Sequence, residues 1–377
     1  MSLIWPDSEA NVVTNQARLH AFVIGVADYP HLNGGSGPMA NDPLGLTQVT
    51  TPQHTAPAMA EWLMNGHSNP ACQLGSLEML VSPAVQIPVP AGGKAPADPA
   101  KMAEIKRSFA KWEKRCSSHA DNIAFFYFCG HGLNKTDQFL LPEDFGDPAL
   151  PNEWANCINF DWMRVGMRKC KAQTQIFFVD ACRETPFGML TQVNVGGDGL
   201  ISASITDTVA CSAAYYATTQ GRQAYGPDND VTYFGQAVLC CLKGVGGLKK
   251  GPKWVVDTYS LGNALGQVMA QLARRHALPL TCNPDVGGMA RIHEPAAARV
   301  VAAVECSSPA ANNVAEIILS RGATLIQSLL GQNKPIIEEV EAGDWTIDVR
   351  FPGGQYPVFP PQQYTFVPPV FEGVPVP

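Results

Sequence analysis

The sequence predicts an α/β fold in which a mostly parallel sheet is flanked by helices on both faces, followed by a small C-terminal domain of the β-sandwich type. Two apolar runs, residues 123–128 and 176–179, are short, rich in aromatic and β-branched residues, and bounded by polar or glycine residues. This pattern is typical of strands buried on both faces of a parallel sheet. Such runs alternate with helical patterns up to about residue 295, which favours βαβ connectivity, and short β-prone runs follow.

Residues 1–295 are predicted to form the first domain. Its strands are predicted at residues 20–26, 77–81, 123–128, 176–179 and 209–213. Its helices are predicted at residues 55–65, from 98 onward, 160–170, 233–242 and 259–275. Asp98 is the expected N-cap of the second helix, with Pro99 in its first position. Apolar residues at helical spacing mark the face of this helix that should pack on the sheet, namely Met102, Ile105, Phe109 and Trp112.

The C-terminal part is predicted to contain a small β-rich domain over residues 296–351 and a proline-rich tail over 352–377. The β-prone runs of this domain are residues 299–304, 314–319, 324–329 and 345–351. The tail contains eight prolines, and proline cannot donate to an inner ladder, so we expect this segment to run extended along the surface. A capping role and a partner-binding role remain equally open for it.

Composition excludes several classes of protein. A chain of 377 residues suggests about two domains. The formal net charge of -7 argues against nucleic-acid binding, which needs a concentrated positive field. The eleven cysteines include no CxxC pair, and no cleavable leader is recognised, so we expect free thiols in a reducing cytoplasm. Since no apolar run reaches the roughly 18 residues that a membrane span needs, no membrane association is expected.

A histidine and a cysteine follow the two most apolar strands. His131 lies just beyond the run 123–128 and Cys182 just beyond the run 176–179, where open α/β sheets place their active sites. A cysteine attacks a carbonyl only as the thiolate, and a neighbouring histidine can remove its proton and later protonate the leaving amine. The backbone N–H groups of Gly132 and Cys182 are the expected oxyanion donors. Taken alone, Cys182 is better explained as an inert buried thiol, and His131 as a loop histidine whose hydrogen bonds are satisfied. The two motifs together favour a catalytic dyad.

The sequence resembles the caspase family in its broad sense, which includes metacaspases, paracaspases and bacterial caspase-like peptidases. The separation of His131 and Cys182 is close to the roughly 50 residues found between the caspase histidine and cysteine. Six motifs carry the resemblance: residues 21–26 (Ala-Phe-Val-Ile-Gly-Val), Asn41-Asp42, residues 126–132 (Phe-Tyr-Phe-Cys-Gly-His-Gly), residues 178–183 (Phe-Val-Asp-Ala-Cys-Arg), residues 210–213 (Ala-Cys-Ser-Ala) and residues 233–239 (Tyr-Phe-Gly-Gln-Ala-Val-Leu). The resemblance implies a cysteine endopeptidase that acts on protein or peptide substrates and needs no cofactor.

Departures from the caspase pattern bear on selectivity. Asp180 and Glu184 stand where caspases carry glutamine and glycine. An acid at the first position resembles metacaspases, in which it lines the specificity pocket and selects Arg or Lys before the cleaved bond, as charge complementarity would require. The resemblance makes Asp42 the expected second wall of that pocket and Ser212 a further substrate-binding residue. The alternative for Asp180 is a carboxylate that only holds a loop.

Other functions stay open at this stage. A scaffold that has lost activity and a non-peptidase cysteine hydrolase are the alternatives, although both members of the dyad stand in intact motifs. Glu143, Asp144 and Asp147 form an acidic cluster that is compatible with calcium as in some metacaspases, but a solvated turn is favoured. The resemblance also suggests an effector of bacterial antiphage defence or regulated cell death, activated by a protein or a nucleotide signal. Ordering of the glycine-rich segment 196–199 over the active site is the expected form of control.

Overall fold

The structure is a computed structural model that describes residues 2–6, 8–9, 12–13, 15–90, 92–150, 152–190, 195–202, 207–327 and 335–373. The chain divides into two compact units. The first comprises Met1–Gln236 together with Cys282–Ala290, and the second comprises Ala237–Thr281 together with Arg291–Pro377. The predicted domain boundaries at residues 295 and 351 stay predictions.

A seven-stranded sheet forms the centre of the first unit. In chain order its strands are β1 (Leu3–Trp5), β2 (Arg18–Val26), β3 (Gln73–Ser82), β4 (Ile123–Cys129), β5 (Thr174–Asp180), β6 (Cys211–Tyr216) and β7 (Asn283–Gly287). Their order across the sheet is β1-β3-β2-β4-β5-β6-β7. The five inner strands are parallel, and the edge strands β1 and β7 are antiparallel to their neighbours. The α/β class and the mostly parallel sheet are thereby confirmed.

Helices cover both faces of this sheet. They are α1 (Pro52–Glu61, followed by a π-helical turn, Trp62–Gly66), α2 (Met102–Cys116), α3 (Phe160–Gly166, followed by a 3₁₀ turn, Met167–Lys169) and the short α4 (Phe187–Leu190). The α2 face shares a buried cluster with Phe22 on β2, whereas α1 lies against Gly25 of the same strand. Since residues 22 and 25 point to opposite faces of a strand, α1 and α2 lie on opposite sides of the sheet.

The start of α2 differs from the prediction. The helix begins at Met102, not at Asp98. Asp98 remains extended, and its carbonyl accepts a hydrogen bond of 2.9 Å from the backbone N–H of Val81 on β3. The first-turn N–H of Met102 donates instead to Asp144 Oδ1 at 2.8 Å. A carboxylate 42 residues away in the chain therefore satisfies the helix N-terminus.

The second unit contains two further helices and a small sheet before its β-rich part. Helix α5 (Tyr233–Cys240) begins in the first unit and continues as a π-helical turn, Cys241–Val245. Three short strands, Leu248–Lys250, Lys253–Asp257 and Arg291–His293, form the small sheet. Helix α6 (Thr258–His276) starts with a capping box in which Asp257 and Ser260 satisfy each other's backbone N–H groups.

The β-rich part consists of two small sheets that share one core. Its elements are the strand β8 (Arg299–Val304), the short helix α7 (Pro309–Asn312), and the strands β9 (Glu316–Arg321), β10 (Thr324–Gln327), β11 (Ile336–Glu341), β12 (Gly343–Arg350), β13 (Gln362–Phe366) and β14 (Val370–Gly373). The sheet orders are β11-β8-β14 and β10-β9-β12-β13. Residues 328 and 329 of one predicted strand lie outside the described residues.

The proline-rich segment is not a surface tail throughout. It contributes β13 and β14, and each of these strands lies at the edge of its sheet, where proline nearby is tolerated. Phe366 on β13 is buried and stacks on Trp345 with ring centroids 5.8 Å apart. The sequence correctly excluded an inner strand in this segment. It did not predict an edge strand, although the alternating aromatic residues at 364 and 366 indicate one. Residues 374–377 lie outside the described residues.

Candidate active site

The ends of β4 and β5 place His131 and Cys182 at one edge of the sheet. The two strands are parallel neighbours, and Cys129 is the register partner of Asp180. His131 and Cys182 each lie two residues beyond this pair, and both line one cleft of about 990 Å³. The structure therefore brings together the histidine and the cysteine that the sequence singled out, although 51 residues separate them in the chain.

The ring of His131 is held by a backbone carbonyl. Its Nε2 lies 2.6 Å from the carbonyl oxygen of Thr47. A carbonyl can only accept, so Nε2 carries the proton and Nδ1 is the acceptor nitrogen. The backbone N–H of His131 donates to Tyr29 Oη at 2.7 Å, and the two rings are 4.8 Å apart. Burial lowers the pKa of His131, which favours the neutral imidazole that a general base requires.

The thiol of Cys182 is partly shielded by the segment 221–226. The backbone N–H of Ala224 donates to Cys182 Sγ at 3.3 Å, and the Ala224 carbonyl lies 3.9 Å from the same sulfur. Burial raises the pKa of the Cys182 thiol, an effect that the Ala224 N–H opposes and the carboxylates of Glu184 and Asp180 reinforce. Burial therefore favours the neutral form of both the Cys182 thiol and the His131 imidazole.

The backbone segments at Gly132 and Cys182 approach each other closely. A Cβ on Gly132 would lie 2.7 Å from the Cβ of Ala181 and 2.8 Å from the carbonyl oxygen of Cys182. Only glycine permits so close an approach of the two backbone segments. Among the described residues, no backbone carbonyl accepts from the N–H of Cys182. The oxyanion role of the Gly132 and Cys182 N–H groups stays a prediction.

Asp180 lies on the buried floor of the cleft, 3% exposed. Its Oδ2 accepts hydrogen bonds from Tyr127 Oη, at 2.7 Å, and from Thr232 Oγ1. Burial raises the pKa of Asp180 to about 6, against the lowering effect of these hydrogen bonds. A carboxylate of this pKa is largely ionised at neutral pH and can be neutralised by mild acid.

The other two predicted substrate-binding residues do not line this cleft. Asp42 accepts from the backbone N–H of Leu44 at 2.9 Å and lies against Gly188 of α4. Ser212 lies at the amino end of β6, where it pairs with Gln175 and accepts from Arg164 Nε at 3.3 Å. Gln175 lies five positions before Asp180 on β5, which is about 17 Å of strand. Ser212 therefore lies at the opposite end of the sheet from Cys182, because the strand's active-site end is its carboxyl end.

Several residues of the cleft were not found from the sequence. Thr47 acts through its carbonyl, which every residue type possesses, so nothing in its side chain could have marked it. Asp228 also lines the rim of the cleft, next to Glu184, which the sequence marked only as a departure from the caspase pattern. With Asp180 they make three carboxylates. No lysine or arginine occurs among the described residues that line it. The charge of the cleft is therefore negative. No motif in the sequence marked Asp228.

The carboxylates of the predicted acidic cluster bind protein groups. Glu143 Oε2 accepts from Ser82 Oγ at 2.5 Å, and Asp144 binds the amino end of α2. Within the described part of the chain, no group of three or more histidine, cysteine or acidic side chains is arranged to hold a metal ion.

In the glycine-rich segment 196–199, Asp198 pairs with the backbone of residues 157 and 159 and forms an ion pair of 2.7 Å with Lys106. This segment does not line the cleft in this structure, and its ordering over the active site when an activator binds stays a prediction.

Comparison with known proteins identifies the family of this chain. Residues 18–276 match the model of the caspase domain, a family of cysteine peptidases that act on proteins. The chain belongs to this family. The match contains every element from β2 to α6 and therefore both His131 and Cys182.

Individual relatives are more distant. An uncharacterized protein of Sinorhizobium fredii is 30% identical over 236 residues, which is 56% of this chain and 66% of that protein. A probable protease from a Desulfuromonadales bacterium is 28% identical over 201 residues, 51% of this chain and 23% of the relative. The chain thus spans less than two thirds of either protein. The crystal structure of caspase-1 from Spodoptera frugiperda covers 75% of this chain and 94% of its own, with 14% identity and a TM-score of 0.42.

None of the helices in the described ranges is both long and apolar enough to cross a membrane.

Proposed function

We propose that this protein is an endopeptidase that uses Cys182 as nucleophile and His131 as general base, and that it cleaves after arginine or lysine. One observation carries the proposal: the two side chains line the same cleft together with three carboxylates and, among the described lining residues, no cation. Such a cleft favours a cationic substrate side chain and repels an acidic one.

The hydrogen bonds of the site support a definite order of proton transfers. His131 Nδ1 removes the proton from Cys182 Sγ while Nε2–H remains bound to the Thr47 carbonyl. The thiolate attacks the peptide carbonyl carbon, and the oxyanion accepts from the N–H groups of Gly132 and Cys182. Collapse of this adduct breaks the C–N bond, and the imidazolium protonates the leaving amine. Water then attacks the thioester with His131 as base, which releases the carboxylate product and restores the thiol.

The selectivity rests on Asp180 on the floor and on Glu184 and Asp228 at the rim. A guanidinium or ammonium group that enters the cleft can pair with carboxylates in a partly desolvated setting, where charge pairs are strong. Removing one partner of such a pair typically costs about 2–5 kcal/mol. Asp42 lies outside the cleft, so we now assign the selectivity to Asp180 and the two rim carboxylates.

The test is a cleavage assay with a fluorogenic peptide library that varies the residue before the scissile bond. We expect cleavage after Arg and Lys. Cys182→Ala and His131→Ala should each abolish it, and the double variant should be hardly worse because the dyad acts as a unit. Cys282→Ala, a half-buried thiol outside the cleft, is the matched control and should retain full activity. Cleavage by a folded Cys182→Ala protein, or cleavage after Asp, would contradict the proposal.

The same assay separates the two alternatives. A catalytically silent scaffold would cleave no library member, although Cys182 would remain reactive towards alkylating reagents. A non-peptidase hydrolase would cleave small esters or amides but no peptide. A role as an activator-controlled effector in antiphage defence or cell death is the setting that the family resemblance suggests. Adding candidate protein or nucleotide activators to the peptide assay tests that role.

A further inference from the structure

A buried glutamine lies directly behind the nucleophile. Gln138 begins the short strand Gln138–Leu140, which pairs with Gly132–Asn134, the strand that carries the predicted oxyanion donor Gly132. Its side chain is 0% exposed. Its Nε2 donates to the carbonyl oxygen of Cys182 at 3.0 Å. A Cβ on Gly132 would lie 2.9 Å from the same Nε2, so this amide lies against both backbone segments of the oxyanion site.

The orientation of the Gln138 amide is determined by its neighbours. Its Oε1 accepts from Arg183 Nε at 3.2 Å, while Nε2 faces a carbonyl. A flipped amide would set oxygen against oxygen and N–H against N–H, so only one orientation satisfies both partners. Arg183 is held in turn over the ring of Tyr216, with 4.1 Å between the guanidinium carbon and the ring centroid. The backbone N–H of Gln138 donates to Asp161 Oδ2 at 2.6 Å.

The peptide that follows the nucleophile is therefore held at both ends. Its carbonyl, on Cys182, accepts from Gln138, and its N–H, on Arg183, donates to the carbonyl of Arg222 at 3.0 Å. A fixed peptide plane on this side restricts the backbone torsion of Cys182. The directions of the Cys182 thiol and N–H depend on that torsion, and a misplacement of about 1 Å can cost about a hundredfold in rate.

We propose that Gln138 is a positioning residue that holds the backbone of Cys182 so that its N–H points at the oxyanion of the tetrahedral adduct. The proposal rests on the proposed peptidase function. Gln138 is not among the described residues that line the cleft; it acts through the Cys182 carbonyl and through its packing against Gly132. Its loss should therefore affect the stabilised adduct more than substrate binding or the intrinsic reactivity of the thiol.

The experiment compares Gln138→Met with Gln175→Met. Gln175 is also a fully buried glutamine, and its Nε2 donates to two carbonyls, those of Met167 and Ala172, at the far end of β5. Both variants lose one buried amide and should lose similar thermal stability. Gln138→Met should lower kcat by about 10- to 100-fold, somewhat less than removal of an oxyanion donor itself, with KM changed less than threefold. Gln175→Met should leave both constants near those of the unmodified chain.

Two inhibitors separate positioning from general damage. A peptide aldehyde with arginine at its reactive end forms a tetrahedral adduct that needs the oxyanion donors, whereas iodoacetamide needs only the thiol and its base. Protection of Cys182 from iodoacetamide by the aldehyde gives an affinity without any turnover. We expect Gln138→Met to weaken binding of the aldehyde by about the same factor by which it lowers kcat. The rate of alkylation by iodoacetamide should stay within about twofold of that of the unmodified chain.

The outcomes are distinguishable. Equal kcat and aldehyde affinity in the Gln138→Met and Gln175→Met proteins would overturn the positioning role, as would a parallel loss of alkylation rate. If Gln138→Met does not fold, Gln138→Glu retains the size and the contact with Arg183 but loses the donor to the Cys182 carbonyl, and the same losses are expected of it. Absence of peptide cleavage by the unmodified chain, with aldehyde protection intact, would contradict the proposed function and leave the positioning role decided by the aldehyde data.

Discussion

At the scale of single residues, the dyad is held neutral by burial. Burial raises the pKa of the Cys182 thiol and lowers the pKa of His131, so each shift disfavours the charged form of its group. Peptidases that maintain a thiolate–imidazolium pair need the opposite shifts. The proposed mechanism therefore requires proton transfer from sulfur to His131 during attack, and the Nε2–H bond to Thr47 keeps Nδ1 as the acceptor.

The neutral dyad predicts the pH dependence of alkylation. The thiolate fraction rises with pH until the pH passes the raised pKa of Cys182, so the rate of reaction with iodoacetamide should still be rising at pH 9. Mass spectrometry of the Cys182 peptide after timed exposure measures this rate. Cys182→Ala identifies the background from the other thiols. A rate that is level between pH 5 and pH 8 would reveal a pre-formed ion pair and contradict the neutral dyad.

Asp180 predicts a second pH effect, on substrate binding. Its pKa of about 6 means that the carboxylate is charged above this pH and neutral below it. Attraction for a cationic substrate side chain is then present at pH 7 and lost as the pH falls through 6. We expect KM for an arginine peptide to rise up to about tenfold between pH 7 and pH 5, since the ionised fraction falls by about that factor.

Two asparagine variants test this assignment. Asp180→Asn should have a raised KM for arginine peptides at pH 7 and should lose its dependence on pH in this range. Asp42→Asn removes a carboxylate that lies outside the cleft and should keep the pH dependence of the unmodified chain. Equal effects of the two variants would instead show that Asp42 forms a wall of the specificity pocket, as the family resemblance suggests.

At the scale of elements, the buried strands could be predicted from the sequence more accurately than the helix ends and the loops around the cleft. Residues 123–128 and 176–179 became β4 and β5 with one to three extra residues, because runs buried on both faces are recognisable from composition alone. The start of α2 was missed because Asp144, distant in the chain, caps it. The same physical reason hides Thr47 and Gln138 from sequence inspection: their roles depend on backbone groups and on long-range contacts, which no local pattern records.

The segment from Glu184 to Gln220 predicts how the chain matures. It follows the nucleophile, and it contains no lysine or arginine in the sequence but does contain Asp198 and Asp207. An enzyme that requires a basic residue before the bond cannot cut this segment, so we expect the active protein to remain one chain across it. Cleavage elsewhere, for example after Lys250 or Arg275, remains compatible with the acidic cleft.

Intact-mass measurement of the active protein checks this expectation. Fragments that end at Asp198 or Asp207 would contradict both the uncut chain and the selectivity for basic residues. A Cys182→Ala protein treated in parallel distinguishes self-cleavage from a contaminating protease. The ion pair between Asp198 and Lys106 adds a structural reason against cutting there, since the backbone at residue 198 is also paired with residues 157 and 159.

At the scale of the whole molecule, the net charge of the chain and the charge of the cleft have the same sign. The chain carries a formal net charge of -7, and the described residues that line the cleft add three carboxylates and no lysine or arginine. A cleft of one sign with low-dielectric walls focuses the field and raises the encounter rate of oppositely charged ligands. Long-range attraction of this kind is screened over about 10 Å at 0.1 M salt. Glu184 and Asp228 at the rim should therefore act mainly on association, whereas the buried Asp180 is screened less.

The final prediction follows from this difference in screening. For an arginine peptide, kcat/KM should fall severalfold between about 10 mM and about 300 mM salt, and most of the fall should lie in KM. The same peptide with citrulline in place of arginine keeps the shape and loses the charge, and its slow cleavage should hardly respond to salt. Asp228→Asn should flatten the salt dependence for the arginine peptide while leaving the pH effect of Asp180 in place. A salt response that is equal for the two peptides would show that the field of the cleft does not guide the substrate.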